Sequence, residues 1–300
     1  MIVRPQSNWF RMLLVWNGSV LPSILPQLGV ILVISLVALL GDGRVFGERI
    51  PLDTEPFPLL GVSLAIFLAF RNNASYQRYL EARQLWGRVL IATRTLTSQA
   101  LAYLPANRLD YRGFAFRVIA FAHLLRHQLR GSDPRQDLER LLPPEAVDDL
   151  TQHAYRPIAV LNELRHTVHQ AAPDGQTLWM LDAQLNCLSE SVGGCERIAS
   201  TPIPYPYGVL LHRTIYAYCF LLPFGLVHAI GAATPLISVF VAYTLFALEA
   251  IAQEIGDPFG RASNSLALGA ISCTIERSVL ELCGLPMPAE ARASEKYRLD

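Results

Sequence analysis

"GVSLAIFLAFRNNASYQRYLEAR", residues 61 to 83, opens as a membrane helix and turns at Arg71 into a polar, Arg-rich helix with no breaker between the halves. Val62, Ile66 and Phe70 recur at i, i+4 and i+8, which sets three bulky apolar side chains along one slowly drifting helix face. Continued past Arg71, that face carries Asn73, Gln77 and Glu81, so the stripe changes from apolar to polar. Periodicity alone favours ordinary packing residues of a membrane helix. A sharper reading comes from Leu60, Leu64, Phe67 and Leu68, which supply a second apolar face for neighbouring helices and leave the first one spare. Placed around an axis by several subunits, the spare stripe forms a narrow, dry neck above a wetted chamber, and constrictions of that kind gate ions by dewetting.

The rest of the chain supports a membrane setting. Of its 300 residues 52% are hydrophobic and only 17% charged, against about 25% charged in an average soluble domain. Four apolar segments lie at about residues 20–41, 56–70, 207–233 and 234–252. The first is long enough to cross ~30 Å of hydrocarbon, whereas the second reaches only about 22 Å and needs protein neighbours. The third and fourth are joined by a tight link from Gly231 to Pro235 and read as a transmembrane hairpin. Residues 71–206 show helical periodicity broken by prolines, and no run there reads as a strand. These observations predict an all-α membrane protein with four transmembrane helices and a helical cytosolic region at 71–206 and 253–300, folded as one integrated domain over 1–300.

Arg71, Arg78, Arg83, Arg88 and Arg94 follow the second segment, while the link between the third and fourth carries no charge. By the positive-inside rule both termini and the helical body are expected on the cytosolic side of a bacterial inner membrane. The first twenty residues lack the apolar core and small-residue pattern of a cleaved signal. Net charge is zero, and Lys296 is the single lysine, so nucleic acid has no compositional support as a partner. Five scattered cysteines without a C-x-x-C pair read as reduced thiols.

Other chemistries are weaker. His123 and His127 stand at i, i+4 and His166 and His169 at i, i+3, spacings that suit a metal on a helix face but lack the glutamate of a zinc hydrolase. We expect no metal site. "GDGRVFG" (41–47) follows a membrane helix and lacks the G-K-[ST] ending of a phosphate loop, so it reads as a turn. In "GGCER" no histidine is near Cys195 in sequence, and a close helix crossing through Gly193 and Gly194 is the better reading than a nucleophile. Glu249, Glu254 and Asp257 are expected to pair with Arg71, Arg78 or Arg213, with a role in ordering the neck as the alternative.

"SNWFRMLLVWNGSVLP" (7–22), "PFPLLGVSLAIFLAFRNNASYQRYLEARQLWG" (56–87), "LNCLSESVGGCERIASTPIPYPY" (185–207) and "EIGDPFG" (254–260) together resemble the bacterial branch of the bestrophin family. The resemblance implies a homopentameric channel with four membrane helices per subunit, one axial pore, the lipid bilayer as its setting and no enzymatic reaction. By similarity Val62, Ile66 and Phe70 match the family's neck, with Asn73, Gln77 and Glu81 lining the vestibule below. The nearest match to its cytosolic aperture is Met180, which lies beside a heptad-like stripe of Leu178, Leu181, Leu185, Leu188 and Val192. The alternative for Met180 is a filler of a subunit contact. Glu254, Asp257, Pro258 and Phe259 are candidates for a loop that supports the neck.

Two departures from the family pattern bear on function. Animal members follow this motif with an acidic run that clasps calcium, whereas here "DPFG" leads into "RASNSLALG" with Arg261 first, so no calcium clasp and no cofactor are expected. Animal members also place aromatics at two of three neck positions, and here Phe70 is alone. The link between the first two segments carries Asp42, Glu48, Asp53 and Glu55 against Arg44 and Arg49, a surplus that around a ring concentrates cations. The family implies chloride-type anion flux, the charge pattern leans toward a cation-selective channel of the same architecture, and a membrane-anchored scaffold protein is the reading from another class.

Overall fold

The computed structural model describes residues 1–3, 8–13, 15–16, 18–45, 48–49, 55–294 and 297–300. In chain order the helices are α1 (Trp9–Leu13), α2 (Leu21–Leu40), α3 (Pro56–Tyr103), α4 (Tyr111–Arg130), α5 (Arg135–Leu141), α6 (Pro144–Gln152), α7 (Arg156–Ala171), α8 (Gly175–Ser200), α9 (Tyr205–Ile230), α10 (Thr234–Gly256) and α11 (Leu268–Leu282). A 3₁₀ turn at Gly231–Ala233 joins α9 to α10. The only described strands, β1 (Arg44–Val45) and β2 (Glu48–Arg49), pair antiparallel over two residues each, reached through positive φ at Asp42 and Gly43. Residues 41–43 of "GDGRVFG" form a turn, as expected, while Phe46 and Gly47 lie outside the described residues. Asp53 lies outside the described residues, as do the side chains of Arg44, Glu48 and Arg49.

Contacts divide the chain into two compact units, Pro5–Tyr79 with Pro202–Asp257, and Met1–Arg4 with Leu80–Thr201 and Pro258–Asp300. In the first, α2, α9, α10 and the N-terminal part of α3 share a core of Ile24, Leu28, Ile31, Leu64, Leu68, Leu211, Ile215, Cys219, Ala242 and Phe246. Three described stretches are long and apolar enough to cross a membrane: Leu21–Leu40, Pro56–Tyr103, and Tyr205–Gly256, which holds both α9 and α10. Small residues let the helices approach. Gly225 of α9 lies against the Phe57 ring of α3, and that ring meets Tyr218 edge-on with centroids 5.9 Å apart.

The second unit is built from the C-terminal part of α3 with α4 to α8 and α11. Two of its helices, α4 and α8, carry side-chain caps that satisfy free backbone groups. Asp110 caps α4 by accepting from the Arg112 backbone N–H at 3.1 Å, and Asp174 caps α8 through Thr177 at 2.7 Å. Gly131 closes α4 in the left-handed conformation with φ 58°, a geometry glycine adopts without strain. Along α8, Leu181, Leu185, Leu188 and Val192 are buried as the heptad-like spacing predicts, whereas Leu178 is only half-buried. Of the two glycines expected at a crossing, Gly194 faces Leu85 of α3, where an added Cβ would come within 2.8 Å. Gly193 faces nothing within 4 Å, so the crossing uses one glycine and not the pair.

Candidate functional site

The long helix α3 runs unbroken from Pro56 to Tyr103 because no proline or glycine pair interrupts it between Gly61 and Gly87. In the first unit its inward stripe is Phe57, Gly61, Leu64 and Leu68, spaced by four, three and four as a packed helix face requires. Leu64 and Leu68 are each 1% exposed. Leu60 and Phe67, expected on that same face, are exposed instead. At about 100° per residue they fall toward the flanks of a stripe that Gly61 and its neighbour Tyr218 already fill.

Val62, Ile66 and Phe70 lie on the other side of the helix and are 60%, 50% and 64% exposed. None of the three belongs to the core cluster of the first unit. Asn73 and Gln77 continue it and are exposed as well. Glu81 differs from them, since it lies in the second unit and its carboxylate is paired with Arg197.

One residue beyond Phe70, the Arg71 guanidinium lies 3.6 Å from the buried carboxylate of Glu249 on α10. The same Glu249 oxygen is 2.9 Å from His212 Nδ1 on α9. Arg71 and Glu249 are the expected pair. His212 was not foreseen as its second partner, since the expected cation on α9 was the adjacent Arg213. The three line a cavity of about 590 Å³ together with Ser75, Tyr205 and Gly256. Arg78, another expected partner for an acid, donates from Nε to the Gly256 carbonyl at 3.1 Å. Glu254 is half-buried near the end of α10, and Asp257 is exposed just after it.

In the second unit Pro258 and Phe259 are buried, and the Leu266 backbone N–H donates to the Pro258 carbonyl at 2.9 Å, closing the loop that precedes α11. Met180 is half-buried between the exposed Trp179 and the fully buried Leu181.

His123 and His127 belong to an ion-pair network across three helices. His123 Nε2 is 3.0 Å from Glu276 on α11 and its Nδ1 is 3.6 Å from Asp137 on α5. His127 Nε2 is 2.8 Å from the same Asp137 oxygen, Arg126 pairs with Asp137, and Arg140 pairs with Glu276. Against the opposing pull of burial, hydrogen bonds from His123 and Arg140 hold the Glu276 carboxyl down at about 2. The hydrogen bond from His127, with the nearby positive charges, holds Asp137 well below the ordinary carboxylate range. Among the described residues no group of three or more histidine, cysteine and acidic side chains is arranged to hold a metal ion. Cys195 is fully buried, and burial pushes its thiol up to about 12. A thiol kept protonated there is no nucleophile.

The sequence matches the family described as Bacterial/Fungal Bestrophin protein over residues 1–281. A Ralstonia nicotianae protein named voltage-dependent anion channel-forming protein RSc3414 is 48% identical over 307 residues, covering all of both chains. The voltage-dependent anion channel-forming protein YneE of Escherichia coli K12 is 39% identical over 304 residues, again over the whole of both. Among solved structures, a bacterial bestrophin homologue from Klebsiella pneumoniae aligns with TM-score 0.84 and 40% identity, covering 88% of this chain and 99% of that one.

Proposed function

We propose, from the fact that the chain belongs to the bacterial/fungal bestrophin family, that this membrane protein is a passive ion channel. In this reading five copies surround one axis, and Val62, Ile66 and Phe70 of each α3 face inward as a hydrophobic neck. Asn73 and Gln77, with Glu81 further on, line the wetted vestibule, and Met180 narrows the far end. The loop with Glu254, Asp257, Pro258 and Phe259 supports the neck from the end of α10. Both termini lie in the cytosol of a cell whose inner membrane holds the channel. Relatives at 39–48% identity are named as anion channel-forming proteins, which supports small monovalent anions as the permeating ions.

The observation that carries the reading is the division of α3 into two faces. Leu64 and Leu68 are spent on the subunit's own core, while the stripe opposite them is bare for its whole apolar length and then turns polar. A face that meets lipid all along has no reason to change character one residue before a buried Arg–Glu pair, whereas a pore that widens does. No cofactor or calcium enters, since Arg261 opens the segment where an acidic clasp would start. A scaffold function would leave purified protein unable to pass ions in liposomes.

A second reading keeps the architecture and reverses the selectivity. Asp42 and Glu55 are exposed at the described ends of the first connecting link, and Phe70 is the single aromatic of the stripe. Reversal potentials of reconstituted protein in asymmetric salt decide between the two. A shift toward the anion's equilibrium potential supports the first reading, and a shift toward the cation's replaces it with the second.

A further inference from the structure

In the second unit, the end of α4 and the start of α11 border a cavity of about 680 Å³ lined by Arg126, Arg130, Arg261, Arg298 and Asp300. It lies on a different unit from the helix face described above, and the proposed conduction makes no use of it. The Arg130 side chain is only 9% exposed. Its Nη1 is 2.6 Å from the Asp300 carboxylate, its Nη2 donates to the Leu266 carbonyl at 3.3 Å, and its buried Nε has no partner. Arg298 donates to the Arg261 carbonyl at 2.6 Å. In this lining Arg126 and His127 pair with Asp137 and Arg130 pairs with Asp300, and the guanidinium groups of Arg261 and Arg298 add positive charge.

The backbone points the same way. Helix α11 begins here without a side-chain cap, and its first N–H groups carry the partial positive charge of a helix start. Gly269 in its first turn lies so close to Asp300 that an added Cβ would come within 3.1 Å of the Asp300 backbone. The segment ending in Asp300 is laid in by backbone pairing with the start of the chain, Leu299 N–H to the Met1 carbonyl at 2.8 Å and Val3 N–H to the Tyr297 carbonyl at 2.9 Å. The carboxylate so delivered is 64% exposed. The cavity thus holds the Asp300 carboxylate, tethered and largely open to water, against a cluster of guanidinium groups that suits an oxyanion.

We propose that this cavity is an anion site for a phosphate-type oxyanion, and that residues 297–300 occupy it as a tethered competitor which the ligand displaces. A phosphate group offers several acceptor oxygens on one tetrahedral centre to the guanidinium fork of Arg130 and to the α11 N-terminus, where the Asp300 side chain offers a planar carboxylate. The source is either a free phosphorylated solute or a lipid headgroup, and the two have separate readouts.

The test titrates pyrophosphate into the full-length protein in detergent at constant ionic strength, by calorimetry, with hydrogen exchange followed at residues 297–300. Saturable binding with faster exchange of that segment is expected. Asp300→Asn, which weakens the competitor, tightens binding about two- to fivefold, and Arg261→Ala, which removes a charge of the lining, weakens it about tenfold. If pyrophosphate fails but vesicles containing phosphatidylglycerol speed exchange at 297–300 more than neutral vesicles do, in an Arg261-dependent way, the site stands with a headgroup as its ligand. Binding of neither, or binding indifferent to both substitutions, overturns the proposal.

Discussion

Val62, Ile66 and Phe70 are the residues whose loss separates a gate from a packed core. Truncation to alanine of a side chain buried in its own subunit costs about 2–5 kcal/mol, but these three are exposed in the subunit and are not members of its core cluster. The triple variant V62A/I66A/F70A is therefore expected to fold with little change in the subunit's own packing, and to show longer open times or higher single-channel conductance in planar bilayers. Unchanged currents would remove these residues from the neck. Much of this was legible in the sequence, since i, i+4, i+8 spacing isolates the stripe and its switch at Arg71 is visible by inspection. Which of two apolar faces packs inward was less so: Leu60 and Phe67 look as apolar as Leu64 and Leu68, and only the position of Tyr218 and Gly225 on α9 decides among them. His212 beside Glu249, 37 residues away, has no local pattern that announces it.

At the scale of elements, two contacts fix how helices meet. Gly225 of α9 lies directly under the Phe57 ring of α3, and that ring is buried and held edge-on by Tyr218. Gly225→Ala has to push the ring aside, at a cost of about 1–3 kcal/mol, so the purified variant should melt at lower temperature than the parent. In the helical body, α4, α5 and α11 are tied by His123, His127 and Arg126, by Asp137 and Arg140, and by Glu276 respectively. Glu276 sits at about 2, below the unfolded carboxylate value of about 4.3. A carboxyl depressed in the folded state adds stability that is fully present above the unfolded value and is lost as pH falls toward the folded one. The melting temperature should thus drop between pH 4.5 and 2 more steeply in the parent than in Glu276→Gln, followed by circular dichroism. The sequence presents His123 and His127 as a spacing suited to metal. Their acidic partners come from separate helices, Glu276 from 153 residues along the chain, which no spacing rule reaches.

For the whole molecule, the bare stripe on α3 and the exposed apolar residues of α2, α9 and α10 mean that one subunit leaves much apolar surface uncovered. Lipid can cover the outer faces, while the proposed neck closes only with other copies of the chain. Native mass spectrometry of detergent-extracted protein should give a particle five times the 33.3 kDa of one chain. A dimer or monomer as the sole species would contradict an axial neck. The number of subunits is not written in the residues of one chain, because it follows from the angle between neighbouring copies and from no pattern along α3.

The membrane core of the first unit also has a consequence for how the protein is made. Ile24, Leu28, Ile31, Leu64 and Leu68 pack against Leu211, Ile215, Ala242 and Phe246, yet the ribosome must build the whole helical body between the two groups. At roughly 5–20 residues per second the interval from Leu68 to Leu211 lasts about 7–30 s. During that time the short apolar stretch of α3, about 22 Å long, has only α2 beside it among its eventual partners. Nascent chains halted before residue 205 should consequently hold α3 less firmly in the bilayer, and a quality-control protease has its best opportunity in that window.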